Sequence, residues 1–338
     1  MPAFCIIRHA LPASQASLSK SSNMTGCWKA GHLKAGRIMH LLLQGVMTVF
    51  TELCSYAEKV VKLFIPKKTK SLSGEIVLIT GAAHGLGRGT AYAFSKHGCK
   101  LVLWDINKRG VEETADQCRK LGAVVHTYVV NCQKREEIYR TADEVKKDVG
   151  DISILINNAG VITTGHLLSV TDEQIQSMFD VNVFAQYWTV KAFLPAMIEM
   201  NHGHIVTIAS SAGFLSVPFM VTYSSSKHAL VGFHHSLTEE LYFLGKDGIK
   251  TTCLCPSFIN TGFVKDLLPK TAPVLETEYT VNKLMEGILT NQEMIVLPLC
   301  TKLFIIMLRF LPQRAWRYFI ATEREWIGNY RDIYERSK

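Results

Sequence analysis

Residues 76–87 read Ile76-Val-Leu-Ile-Thr80-Gly81-Ala-Ala-His84-Gly85-Leu86-Gly87, and this stretch decides the fold. Residues 76–79 are a short apolar run without polar alternation, the pattern of a strand buried on both faces. The glycines come next. Gly81 allows a tight turn, and Gly85 and Gly87 let the main chain approach a pyrophosphate resting on the positive end of the following helix. Taken alone, the same run is also compatible with an ordinary strand-to-helix turn.

Working outward, strand-like runs recur at 101–104, 124–130, 152–156, 205–209, 249–255 and 294–297, mostly separated by helical stretches. Val/Ile/Leu-rich strands joined by helical crossovers predict an α/β protein, a doubly wound parallel sheet of the Rossmann type. The 338 residues, 48% hydrophobic and 20% charged, suit one catalytic domain with extensions, assigned here to 71–300.

Asp105 ends the second strand-like run, 24 residues after Gly81. A carboxylate there accepts hydrogen bonds from both adenosine ribose hydroxyls and repels a 2′-phosphate, which favours NAD over NADP. Lys108 and Arg109 weaken that exclusion, and a helix-capping role for Asp105 is the alternative. A second cluster comprises Ser210, Tyr223 and Lys227. Tyr223 and Lys227 are four apart on one predicted helical face, and Ser210 follows the run 205–209. The Lys227 ammonium is expected to favour the Tyr223 phenolate, making Tyr223 the general base, with Ser210 hydrogen-bonding the substrate oxygen.

Thr80-Gly81-x-x-x-Gly85-x-Gly87, Asn157-Asn158-Ala159-Gly160, Asn182, Ser210 and Tyr223-x-x-x-Lys227 resemble the short-chain dehydrogenase/reductase superfamily, in its order, over roughly 72–300. The resemblance implies that Lys227 also holds the nicotinamide ribose and that Asn182 positions a water in the proton relay. It places Asn158, Ala159 and Gly160 on the adenosine side of NAD and assigns Leu86, Asn131, Tyr223 and Thr261 to the cofactor site as well. It also implies a homodimer. Two positions depart from the pattern: Asn131 stands where an aspartate is usual near the adenine amine, and Ser257 where the wider superfamily often has glycine.

Within the superfamily, residues 75–81, 102–107, 201–206 and 251–256 with Asn260-Thr-Gly262 look like the 17-beta-hydroxysteroid dehydrogenase type 11 and type 13 group, relatives of retinol dehydrogenases. That branch implies a lipophilic alcohol or ketone as substrate, such as a steroid or a retinol. It also implies a place on the endoplasmic reticulum membrane and lipid droplets, the catalytic domain facing the cytosol. A lipid-droplet coat or interaction protein with little turnover is the competing reading, against which the intact Asn182, Ser210, Tyr223 and Lys227 argue.

Other classes fit less well. The charge of +8 resides entirely in residues 1–70, with ten basic and two acidic side chains, while 71–338 carry 27 of each sign, so no basic surface for nucleic acid is expected. Ser210 lacks the G-x-S-x-G elbow of a serine hydrolase. The nine cysteines show neither a C-x-x-C pair nor zinc spacing, so no metal is expected, and Cys253 and Cys255 read as small apolar strand residues. His84, His202 and His204 are given no role, since Tyr223 serves as base.

Residues 1–37 hold five basic residues, no acidic one and a serine-rich patch, fitting a disordered extension and equally a mitochondrial transit peptide. We favour the extension. Residues 38–70 form an apolar stretch interrupted by Glu52, Glu58, Lys59 and Lys62 and ended by Pro66 and a lysine cluster. Its longest uncharged run is 14 residues, too short to span a bilayer cleanly. A helix or helical hairpin in one leaflet is expected, with a helix packed on the protein's own core as the alternative. The segment 301–338 is an apolar, arginine-bearing extension that suits either lipid contact or a cover for the cleft or sheet.

Overall fold

The computed structural model describes residues 25–63, 65, 68–261, 274–308, 310–312, 314–315 and 317–318, with side-chain surroundings from 37 onward. It comprises two compact units, Met1–Lys67 and Lys68–Lys338.

The second unit is built on seven parallel strands: β1 (Ile76–Thr80), β2 (Lys100–Asp105), β3 (Val124–Val129), β4 (Ile154–Asn157), β5 (Gly203–Ile208), β6 (Ile249–Pro256) and β7 (Met294–Leu297). Their order across the sheet is β3-β2-β1-β4-β5-β6-β7. Every apolar run expected to be a strand is one. The order reverses between β1 and β4, where Leu78 lies beside Val102 on one side and Leu155 on the other. Chains leaving neighbouring strands in opposite directions open a crevice at the carboxyl edge, where α/β sheets bind ligands.

The connecting helices are α2 (Gly85–Phe94), α3 (Lys108–Lys120), α4 (Arg135–Asp148), α5 (Asp172–Phe179), α6 (Ala185–Met200), α7 (Val221–Phe243) and α8 (Thr277–Leu289). Alternate strand residues face opposite layers. Val77, Ile79, Leu101 and Leu103 pack with Phe94, Val111 and Leu284, whereas Leu78, Val102 and Trp104 pack with Ile138, Val145 and Phe193. Both faces are therefore covered, which explains why the strands lack polar alternation. One π-helical turn, Asp180–Phe184, joins α5 to α6 and carries Asn182.

In the first unit a single helix, α1 (Thr25–Leu63), takes the helical of the two forms expected for 38–70 and begins before the boundary drawn at residue 37. Residues 1–24, the core of the expected extension, lie outside the described residues. Within α1 the stretch Arg37–Glu58, 22 residues long, is apolar and long enough to cross a membrane. Counting only the uncharged run understated it, because a helix tolerates Glu52 within an otherwise apolar window. Within this unit the apolar side chains from Ile38 to Val61 are more than half exposed.

After β7, α9 (Leu299–Leu308) lies against that strand, and its Ile305 is buried. Residues 319–338 lie outside the described residues.

Candidate active site

The glycine loop is shaped for a diphosphate. Gly81 and Gly85 adopt φ of +66° and +55°, conformations costly for other residues. A Cβ on Gly87 would lie 2.1 Å from the Gly81 carbonyl oxygen. No side chain caps α2, whose N-cap is His84, and its first turn holds no acidic residue. Main-chain N–H groups and the helix dipole are thus left for an anion. This cradle fits the pyrophosphate of NAD.

Asn158 braces the loop. Its Nδ2 donates to the carbonyls of Thr80 and Gly81 at 2.9 and 3.0 Å, and its N–H, like that of Ala159, donates to Thr80 Oγ1 at 3.0 Å. Leu86, Asn158, Ala159, Gly160 and Thr261, with Gly81 and Gly85, line one cavity of about 270 Å³ that continues to Ser210, Tyr223 and Lys227. Gly87 is buried behind the loop rather than lining the cavity.

Asp105 and Asn131 do not line that cavity. The Asp105 carboxylate is buried and accepts hydrogen bonds from the N–H groups of Ala83 and Asn107, both at 2.8 Å. It ties the second strand to the glycine loop. The helix cap is Asn107, whose Oδ1 accepts from Gly110 N–H at 3.0 Å, so the capping alternative for Asp105 does not hold. Asn131 turns inward on itself, accepting from Gln133 N–H at 3.0 Å while its own N–H donates to Glu137 at 3.0 Å.

Ser210, Tyr223 and Lys227 converge where β5 ends and α7 begins. Ser210 Oγ accepts from Ala212 N–H at 3.1 Å and donates to the Pro256 carbonyl at 3.4 Å. Lys227 Nζ donates to the Ile208 carbonyl at 3.0 Å and stands 5.6 Å from the centre of the Tyr223 ring. Burial pushes the Tyr223 hydroxyl up to about 12, against the opposing pull of a hydrogen bond with Ser210. Burial also brings Lys227 down to about 8. The shift at Tyr223 thus runs opposite to the lowering expected beside Lys227, because burial is its largest cause and only the hydrogen bond with Ser210 opposes it.

Asn182 is fully buried, and its side chain is spent on structure. Oδ1 accepts from Val161 N–H at 2.8 Å, and Nδ2 donates to the Val161 carbonyl at 3.0 Å and to Ser226 Oγ at 3.1 Å. Ser226 Oγ donates in turn to the Tyr223 carbonyl at 2.7 Å. Ser226 thus links the π turn to the catalytic helix, a part for which the sequence holds no signal beyond a small polar residue before Lys227.

The remaining singled-out groups lie elsewhere. His202 Nε2 meets Glu75 at 3.0 Å, while His204 is buried at the amino edge of the sheet, its Nδ1 2.7 Å from Lys70 Nζ. His84 lines the cavity beside the loop. Cys253 and Cys255 are buried with sulfurs 3.5 Å apart, and their own contact together with burial holds the Cys253 thiol well above its usual range.

Comparison with known proteins agrees with this geometry. Residues 75–272 match the short chain dehydrogenase family. The chain is 59% identical over 257 residues to human (Homo sapiens) estradiol 17-beta-dehydrogenase 11, covering 76% of this chain and 86% of that protein. It is 54% identical over 277 residues to human 17-beta-hydroxysteroid dehydrogenase 13, covering 82% and 92%. A short chain dehydrogenase/reductase from Burkholderia phymatum, solved in complex with NAD, superposes with a TM-score of 0.65 at 28% identity, over 70% of this chain and 93% of that one. The chain belongs to the short chain dehydrogenase family and is an oxidoreductase that takes NAD as its cofactor.

Proposed function

We propose that the protein transfers a hydride between NAD(H) and a lipophilic alcohol or ketone, a steroid 17-beta-hydroxyl, a retinol or a related lipid alcohol. The observation that carries this reading is the cavity itself. Around Ser210, Tyr223 and Lys227 its wall includes Ile162, Leu215, Val217, Met220 and Phe258, and apolar surface exceeds polar. Such a wall rewards burial of apolar substrate and leaves few polar contacts to fix its orientation. The names of the two human relatives point to the same class.

NAD, when bound, supplies the carbon that accepts or returns the hydride. Tyr223 accepts the proton of the alcohol, Ser210 holds the substrate oxygen in hydrogen-bonding range of it, and Lys227 stabilises the charge left on the phenolate. A tyrosine pushed up to about 12 needs that help in the oxidative direction, and in the reductive one it carries the proton to be given at neutral pH. Asp105 is assigned to the adenosine ribose and to exclusion of a 2′-phosphate, and Asn182 to positioning a relay water, through its main chain given that its amide is occupied. We assign the site of action to the endoplasmic reticulum membrane and lipid droplets, supported by the length and apolar character of Arg37–Glu58 and by the exposed Lys68 that follows. Turnover of the purified full chain on steroids, retinols and oxidised lipid alcohols with NAD+ tests the reading. Activity confined to short water-soluble alcohols, or none on any alcohol, would overturn it.

A further inference from the structure

The outer surface of α9 is a second apolar face for which the catalytic fold has no use. Leu299, Leu303, Ile306 and Met307 are 66%, 55%, 45% and 58% exposed, and Phe310 beyond the helix is 83% exposed. Their spacing of three and four residues places them along one stripe. The inner face is apolar too, with Ile305 buried. A helix apolar on both faces belongs either in a core or in lipid, and α9 turns one face to neither core nor partner within its own unit. Lys302, Arg314, Arg317 and Tyr318 are exposed around the stripe, the cationic and aromatic rim suited to anionic headgroups.

We propose that the outer face of α9, with Phe310, lies among lipid acyl chains, so that the cleft whose wall includes Thr301 opens at a lipid surface and receives its alcohol from there. Thr301 belongs to the first turn of α9 and to the cavity wall. The occupant is lipid rather than a second copy because exposed Lys302, Arg314 and Arg317 accompany the stripe, and the same chain carries in Arg37–Glu58 a stretch apolar and long enough to cross a membrane. Two such elements convert a reversible lipid contact into a stable one. The point about substrate entry rests on the proposed lipophilic substrate; the lipid contact of α9 does not.

The test uses the full chain with Cys5, Cys27, Cys54 and Cys300 replaced by serine; Cys99, Cys118, Cys132, Cys253 and Cys255 are buried and left in place. An environment-sensitive fluorophore is attached at Leu303→Cys, and separately at Lys120→Cys on α3 as an exposed control. On phosphatidylcholine vesicles containing phosphatidylserine, the probe at 303 is expected to shift to the blue, to be quenched by doxyl-labelled lipid and to resist iodide. The probe at 120 should behave oppositely. Iodide quenching at 303 on vesicle-bound protein overturns the proposal. So does a blue shift that appears without vesicles, which would instead assign the stripe to a second copy. In a second arm, Leu303→Glu with Met307→Glu should lower kcat/KM about tenfold for estradiol presented in vesicles but not for estradiol carried by cyclodextrin, with NAD affinity unchanged. Equal loss in both presentations would overturn entry from lipid. If estradiol is not turned over at all, the substrate reading fails and the fluorescence arm still decides the contact.

Discussion

Two lysines, Lys227 buried and Lys70 partly exposed, sit at opposite edges of one sheet. Lys227, at the carboxyl edge, and Lys70, at the amino edge, are each brought down to about 8, and burial is the largest cause for both. Their partners differ. Lys227 donates to a main-chain carbonyl and faces a cavity beside Tyr223, whereas Lys70 Nζ meets His204 Nδ1, whose Nε2 meets Thr252 Oγ1 at 2.8 Å, which donates to the Gln292 carbonyl at 2.8 Å. The amino-edge chain closes on itself. A perturbed titration therefore marks burial, and only the cavity and the reacting neighbours turn it into chemistry.

The contrast is broken most directly at Tyr223. Tyr223→Phe should lower turnover by about 10²- to 10⁴-fold, the usual worth of general acid–base catalysis, while NAD affinity stays within a few-fold. Steady-state rates and fluorescence titration of NADH measure the two, and near-normal turnover would remove Tyr223 from its role. Next in size, Lys227→Ala should reduce turnover and weaken NAD binding together, by roughly tenfold or more each, whereas Lys70→Ala should leave kcat/KM within about twofold. Loss of turnover on changing Lys70 would erase the distinction between the edges.

A smaller effect is expected at Asp105. Asp105→Ala removes a carboxylate that also anchors Ala83 and Asn107, so affinity for both cofactors should fall, by about 1–3 kcal/mol for NAD and less for NADP. The ratio of kcat/KM with the two cofactors should move toward NADP. A wild type that already prefers NADP would show that Lys108 and Arg109 dominate.

The smallest effect concerns pH. Lys70 titrates near 8 when folded and near 10.5 when unfolded, so between those values the unfolded chain holds the extra proton and stability rises with pH. The melting temperature of the wild type should therefore gain on that of Lys70→Met as pH rises from 8 to 10. Parallel curves would place the Lys70 ammonium in water.

Much of this was legible beforehand, for a physical reason. Strands buried on both faces are uniform runs, and the glycine loop and the Tyr223-Lys227 spacing are local patterns. What was not legible depends on approach in three dimensions. Ser226 reaches Asn182 across 44 positions, Asn158 reaches Thr80 across 78, and Asp105 reaches Ala83 across 22. The sign of the Tyr223 shift was misjudged because charge can be read from residue types, whereas desolvation cannot. The choice between one helix and a hairpin in 38–70 was open in the sequence, and one helix forms because Glu52 and Glu58 interrupt the apolar count and not helical geometry.

The continuity of α1 also sets a length. Its 39 residues, at about 1.5 Å each, make a rod of roughly 58 Å, about twice the ~30 Å hydrocarbon thickness of a bilayer. The stretch Arg37–Glu58, 22 residues, accounts for about 33 Å of it. Upright in a bilayer, such a rod would hold that stretch in hydrocarbon and carry the rest of its length beyond it. A droplet has oil where the bilayer has a second aqueous face, so there the rod must lie flat. On the proposed placement at both surfaces, passage from one to the other would require the rod to tip.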